Sequence, residues 1–219
     1  MERQMQTRTR RSFLGAGIVA TLAARAHSLG AALVEGKSIT KLRRIVTGRD
    51  RAGKAIIAQD GVPPRVVTTE SLPGLALVEV WATDATPDLP DVPVDLTTTM
   101  KSFVPGPGGT RFRIVQFPGV STRAFDQEAF RREYLVKAPG LAEAMELQDS
   151  GMHTTDSVDY GVVISGEITL ELDDGATVSL KQGDCVVQNG TRHAWRNRSP
   201  TPCIMAFVLV GATREGRSG

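Results

Sequence analysis

The chain has 219 residues, 41% of them hydrophobic and 23% charged, which excludes a disordered or low-complexity polypeptide and leaves room for a well-buried core in one domain or two small ones. Two cysteines exclude a disulfide framework and a Cys-rich zinc module, and 5% aromatic residues argue against a base-stacking nucleic-acid binder. The net charge of +2 is unevenly divided: residues 1–26 carry five arginines against one acid, whereas the remainder carries 21 basic and 23 acidic side chains. The basic balance therefore belongs to the first 26 residues, and no nucleic-acid partner is expected.

Those first residues read as an export signal. A positive stretch ends in Thr9-Arg10-Arg11-Ser12-Phe13-Leu14, an apolar run follows from Gly15 to Ala24, and Ala24-Arg25-Ala26 offers a small-x-small cleavage site. The paired arginines resemble the twin-arginine signal, which implies an exported or periplasmic protein; a misassigned start would leave it cytoplasmic. The apolar run falls short of the about 20 residues a membrane span needs, so no stable membrane insertion is expected. Residues 27–38 read as a linker.

The segment 39–149 holds early strands, a Pro/Gly-rich connection and a helical stretch. Lys41 to Val46 and Ala55 to Ala58 read as strands, and Gly61-Val62-Pro63-Pro64 as a turn. Leu75 to Trp81 is an apolar strand with partial alternation. Residues 84–109, with five prolines and three glycines, read as an irregular connection outside the core. Arg111 to Phe117 sets Phe112, Ile114 and Gln116 on one face against Arg113, Val115 and Phe117 on the other. Residues 123–148 form the one helical stretch beyond the signal, with Phe130 and Tyr134 on one face; it reads as a packing helix over a barrel wall.

From residue 150 to 211 the strands are short and closely spaced: Tyr160 to Ile164, Glu167 to Leu172, Thr177 to Leu180, Cys185 to Gln188, His193 to Arg196 and Cys203 to Val210. Asp173-Asp174-Gly175 suits a tight hairpin turn, and residues 212–219 a tail. Such spacing indicates an antiparallel sandwich or barrel, with Cys185 and Cys203 expected as buried free thiols.

His153 and His193 are the only histidines outside the leader and His27. On an extended chain residues 153, 155, 157 and 159 share a face, as do 193, 195 and 197. His153, Thr155 and Asp159 therefore converge with His193, Trp195 and Asn197 if the two strands are neighbours. Two imidazoles and a carboxylate form a facial triad with open positions.

Here the sequence resembles the cupin superfamily. Its first motif (Gly, five residues, His-x-His, three or four residues, Glu, six residues, Gly) is matched by His153, Thr155, Asp159 and Gly166, with Thr in the second His place and Asp in the Glu place. Its second motif is matched by Gly190, His193 and Asn197, with Gln188 in a Pro place. The resemblance implies an all-β fold, an antiparallel jelly-roll β-barrel with a short helical segment before the barrel motif, and frequent pairing into homodimers. It implies a metal site of His153, Asp159 and His193 for Fe, Mn or Zn. The pocket would add Thr155, Tyr160, Gln188, Trp195 and Asn197, with Asp156 as a surrogate carboxylate.

Two functions remain open. One is a divalent-metal-dependent enzyme, an oxidoreductase or lyase type, that decarboxylates, isomerises or dioxygenates a small organic acid or polyketide-like molecule. The other is a metal-free, non-catalytic module binding a small molecule in the same pocket.

Overall fold

A computed structural model of the chain describes residues 39–89, 92–121 and 124–215. The expected signal over 1–26, the linker 27–38 with His27, and residues 216–219 of the tail lie outside the described residues. No helix among the described residues is long and apolar enough to cross a membrane.

Among the described residues, eleven strands run β1 (Arg44–Arg49), β2 (Ala55–Gly61), β3 (Arg65–Thr68), β4 (Ala76–Thr83), β5 (Thr110–Phe117), β6 (Ser157–Ser165), β7 (Glu167–Glu171), β8 (Thr177–Lys181), β9 (Cys185–Asn189), β10 (Ala194–Arg196) and β11 (Cys203–Gly211). All pairings are antiparallel. A six-stranded sheet in the order β3-β4-β5-β11-β6-β9 and a three-stranded sheet in the order β10-β7-β8 enclose the core, and β1-β2 forms a separate hairpin. The six-stranded sheet takes β3 to β5 from the segment 39–149 and β6, β9 and β11 from 150–211, so the two segments share one sheet.

Alternation decides which side chains face inward. Along β6, Ser157, Asp159, Gly161, Val163 and Ser165 are buried while every second residue between them is more exposed. Val163, Met205, Phe207 and Leu209 of the larger sheet join Ile168, Leu170 and Leu180 of the smaller one in a single core. β4 is buried along most of its length because its other face packs in a second cluster, where Ala76, Val78 and Val80 meet Ile39 and Ile114. Burial on both faces explains its partial alternation in sequence.

Helix α1 (Gln127–Lys137) starts on Asp126, whose carboxylate accepts from the Ala129 N–H at 2.9 Å, and stops before Pro139-Gly140. A short α2 (Leu141–Ala144) follows. Phe130 and Tyr134 sink into the main core with Leu141 and Ala142. Glu133 staples α1 to the barrel edge, accepting from the Glu70 and Ser71 backbone N–H groups at 2.8 and 2.9 Å and pairing with Lys137 at 2.7 Å.

One strand was missed and two expectations need correction. β3 was not foreseen, since four residues after Pro63-Pro64 carry too little alternation to read. The connection 84–109 does enter the core, through Met100 and the fully buried Phe103. Cys185 is exposed rather than buried, because β9 is an edge strand; Cys203 is buried, and both are free thiols.

The hairpin after β7 behaves as its residues require. Asp174 and Gly175 both take positive φ, 56° and 73°, a conformation open to Asp and easy for Gly. Gly166 is obligatory for a second reason: at φ 77° a Cβ there would lie 2.6 Å from the Pro202 carbonyl oxygen.

Candidate functional site

The two histidines meet through the backbone. His153 and His193 form an isolated antiparallel bridge, each N–H donating to the other's carbonyl at 2.9 and 3.0 Å. Direct opposition puts both side chains on one face, with ring centroids 4.2 Å apart. His153 Nδ1 lies 3.0 Å from the Gly151 carbonyl oxygen and His193 Nδ1 lies 2.9 Å from that of Thr191. A carbonyl only accepts, so each Nδ1 carries the proton and each Nε2 keeps its lone pair. Burial pushes His153 down to about 4, helped by the neighbouring His193 and the charges of Arg113 and Arg196. Burial lowers His193 as well. Both imidazoles are therefore neutral at pH 7.

The pair lines a cavity of about 500 Å³ together with Thr155, Asp159, Trp195 and Asn197. Asp159 points inward from β6, and its Oδ1 accepts from the Ser157 hydroxyl at 2.6 Å. Thr155 Oγ1 sits 3.0 Å from the same hydroxyl. Burial raises the Asp159 carboxyl, which the Ser157 bond only partly offsets. Trp195 stands edge-on to His193 at 5.7 Å. Asn197 reaches the lining, but its amide spends its bonds on the turn: Nδ2 donates to the Thr201 carbonyl at 2.8 Å and Oδ1 accepts from Ser199 N–H at 3.0 Å.

Three residues expected in the pocket lie outside its lining. Tyr160 follows the inward Asp159, so alternation turns it to the outer face, half exposed. Asp156 alternates outward from Thr155 and pairs with Arg214 at 2.6 Å, which removes it as a surrogate carboxylate. Gln188 is buried opposite Asp159 in the β6–β9 register, yet its amide donates to the Thr191 carbonyl at 3.0 Å. It thereby braces the turn whose carbonyl holds His193 Nδ1.

The cavity also has walls that the sequence reading did not assign to it. Arg113 enters from β5 and forms an ion pair with the fully buried Glu79 of β4, Nε to Oε1 at 2.8 Å. Its Nη2 also donates to the Phe103 carbonyl. The signal was present: Arg113 shares a sequence face with Val115 and Phe117. Phe125, Phe130 and Tyr134 line the cavity from the helical segment, and Phe117 and Phe207 from the barrel. Arg192 and Arg196 bind the stretch after α2 to the segment bearing His193. Arg192 meets Glu146 at 2.6 Å and Asp149 at 3.0 Å, and Arg196 meets Asp149 at 3.2 Å while also pairing with Glu171 of β7 at 2.9 Å.

The donor chemistry of the expected metal site is half met. Two neutral imidazoles with Nδ1 tied to carbonyls and Nε2 free are the form that ligates metals. Asp159 is not gathered with them: among the described residues no group of three His, Cys, Asp or Glu side chains comes together to hold an ion. A catalytic centre takes three protein ligands, so the residues as placed do not fit one.

The cupin domain family matches residues 144–210. Over 188 residues the chain is 35% identical to phomopsin biosynthesis cluster protein C' of Diaporthe leptostromiformis, covering 81% of this chain and 82% of the relative. It is 34% identical over 193 residues to phomopsin biosynthesis cluster protein D of the same fungus, with the same two coverages. Across 64 residues it is 48% identical to the cupin-domain-containing oxidoreductase virC of Hypocrea virens, covering 28% of this chain and 33% of that one. With the barrel carrying the matched segment and a near-full-length likeness to both phomopsin cluster proteins, the chain belongs to the cupin superfamily, in the family of those two relatives.

Proposed function

We propose that this cupin is an enzyme acting on a small organic acid or polyketide-like molecule bound in the barrel cavity, and that it relocates a proton next to a carbonyl, an isomerase-type reaction. The observation that carries the reading is the facing pair of neutral imidazoles with unprotonated Nε2 atoms at the cavity. A neutral Nε2 accepts a proton from carbon; the developing enolate oxygen needs a donor, which the cavity offers in Arg113. The relatives' membership of biosynthesis clusters, stated in their names, supports a role in small-molecule biosynthesis.

A divalent-metal reading is favoured by the histidine tautomers and opposed by the missing third ligand, so no step is assigned to an ion here. The test is α-proton exchange in D₂O, followed by NMR on a panel of small carbonyl compounds, with metal content measured on the same sample. The reading expects exchange above the buffer rate that falls about 100-fold or more in His193→Ala and in His153→Ala, with no stoichiometric metal. Exchange at the buffer rate throughout the panel overturns it. A stoichiometric transition metal lost with His193→Ala replaces it with the metal-dependent reading.

A further inference from the structure

The chain is poor in aromatic residues, with seven Phe, two Trp and two Tyr. Six of those eleven line the one cavity that holds the histidine pair: Phe117, Phe125, Phe130, Tyr134, Trp195 and Phe207. They form two connected groups. On the barrel side Trp195 contacts Phe207 at 5.3 Å and Phe117 at 6.4 Å, and runs on to His193 at 5.7 Å. On the helical side Phe130 stacks on Tyr134 at 4.8 Å and meets Phe125 at 5.6 Å. Apart from Phe103, the rest of that core is built from aliphatic, methionine and cysteine side chains, so the aromatic rings gather at the cavity. Ring faces and edges at these separations accept another ring in offset or edge-on contact.

The charges at the cavity select against an anion. Each lining cation already has a carboxylate: Arg113 has Glu79 at 2.8 Å, Arg196 has Asp149 at 3.2 Å and Glu171 at 2.9 Å, and Arg198 shares Glu171 at 3.6 Å. A ligand carboxylate would enter beside Asp159 with no charge left to neutralise it. A neutral oxygen acceptor is different. Arg113 Nε faces Glu79 and Nη2 serves the Phe103 carbonyl, which leaves Nη1 without a hydrogen bond among the described residues.

We infer that the ligand of this cavity is a neutral, ring-bearing aromatic carbonyl compound, its ring held between the α1 and barrel aromatics and its oxygen bound by Arg113. The inference deepens the proposed function, on which it rests for the identity of the site, and narrows the substrate to the polyketide-like class over organic acids.

Four simple probes test it on the full chain by ligand-observed NMR at pH 7: acetophenone, ethylbenzene, cyclohexyl methyl ketone and benzoate. Acetophenone binds tightest. The saturated ketone is about 2- to 12-fold weaker for want of ring contacts. Ethylbenzene is about 10-fold weaker or more, because it leaves the Arg113 donor unpaired. Benzoate shows no saturable binding. Phe130→Leu weakens acetophenone and leaves the saturated ketone within about twofold. Phe125→Leu, at a partly exposed ring, repeats the comparison without touching the core. Benzoate or the saturated ketone matching acetophenone overturns the inference, as does acetophenone binding that neither variant changes, or no binding by any probe. Acetophenone bound as expected but never exchanging its α-protons overturns the proposed function alone. Exchange of aliphatic carbonyls without acetophenone binding overturns the ligand class alone.

Discussion

Arg113→Met removes the partner of a carboxylate that has no access to water. Glu79 is 0% exposed, and burial already pushes its carboxyl up against the pull of Arg113, Arg111 and Arg65. Breaking a buried pair from one side costs about 3–5 kcal/mol, because the remaining charge is left uncompensated. In a domain of this size each kcal/mol moves the midpoint by about 2–4 °C, so the melt falls by about 6–20 °C. The double variant Arg113→Met/Glu79→Leu removes both charges and recovers most of that loss, short of the Phe103 carbonyl bond and the stacking of the guanidinium over the Phe103 ring at 5.5 Å. The penalty of the single variant also shrinks as pH falls from neutral towards the ordinary carboxylate range, since protonation neutralises Glu79, whose carboxyl burial already raises. Thermal melts of the three proteins across that range read all of this. A single variant within about 1 kcal/mol of the parent, or a double variant no more stable than the single, would show that the pair is not buried as described.

Acidification should expose the neutral histidines. His153 stays near 4 when folded and returns to 6.5 when unfolded, so the unfolded chain binds the extra proton between those values. Its contribution is fully present above pH 6.5 and declines as pH falls towards 4; the ring lines a cavity, which holds the loss to about 1–2 kcal/mol. His153→Asn flattens that part of the stability–pH curve, and an unchanged slope would count against the burial argument. Glu133 also loses its contribution on acidification, here because its ionised form is the one the fold stabilises. Burial alone would raise it, but Lys137, Ser71 and the Glu70 N–H outweigh that and hold it at about 2. Its staple acts above about pH 4.5 and is mostly lost as pH falls to 2, so Glu133→Ala costs about 1–2 kcal/mol at pH 7 and only about 0.4 kcal/mol at pH 2. Equal losses at both pH values would contradict it.

Much of the barrel was legible because its signal is local. Along residues 157–165 and 203–211 the period of two names the inward residues, and it placed His153, Thr155 and Asp159 on one face. The same rule excludes Tyr160 and Asp156, which motif neighbourhood alone had drawn into the pocket. What alternation cannot carry is long-range pairing. The approach of His153 to His193 rests on one isolated bridge across forty residues. Arg113 carried its face in the sequence, but its reason for facing inward is Glu79, thirty-four residues earlier. Phe103 sits in a stretch whose prolines and glycines read as surface, because a buried ring there depends on the sheet it covers. The helical stretch was read as wall packing; that its rings also line the cavity needed the three-dimensional fold.

The central claim is that both facing imidazoles are neutral, protonated on Nδ1, and offer Nε2 to the cavity. Long-range ¹H–¹⁵N correlation spectra of the histidine rings at pH 7 report this directly. The account predicts Nδ1–H and an unprotonated Nε2 for His153 and His193, with His153 protonating only near pH 4 and His193 below its ordinary range. An Nε2–H tautomer on either ring, or an imidazolium at pH 7, would contradict it.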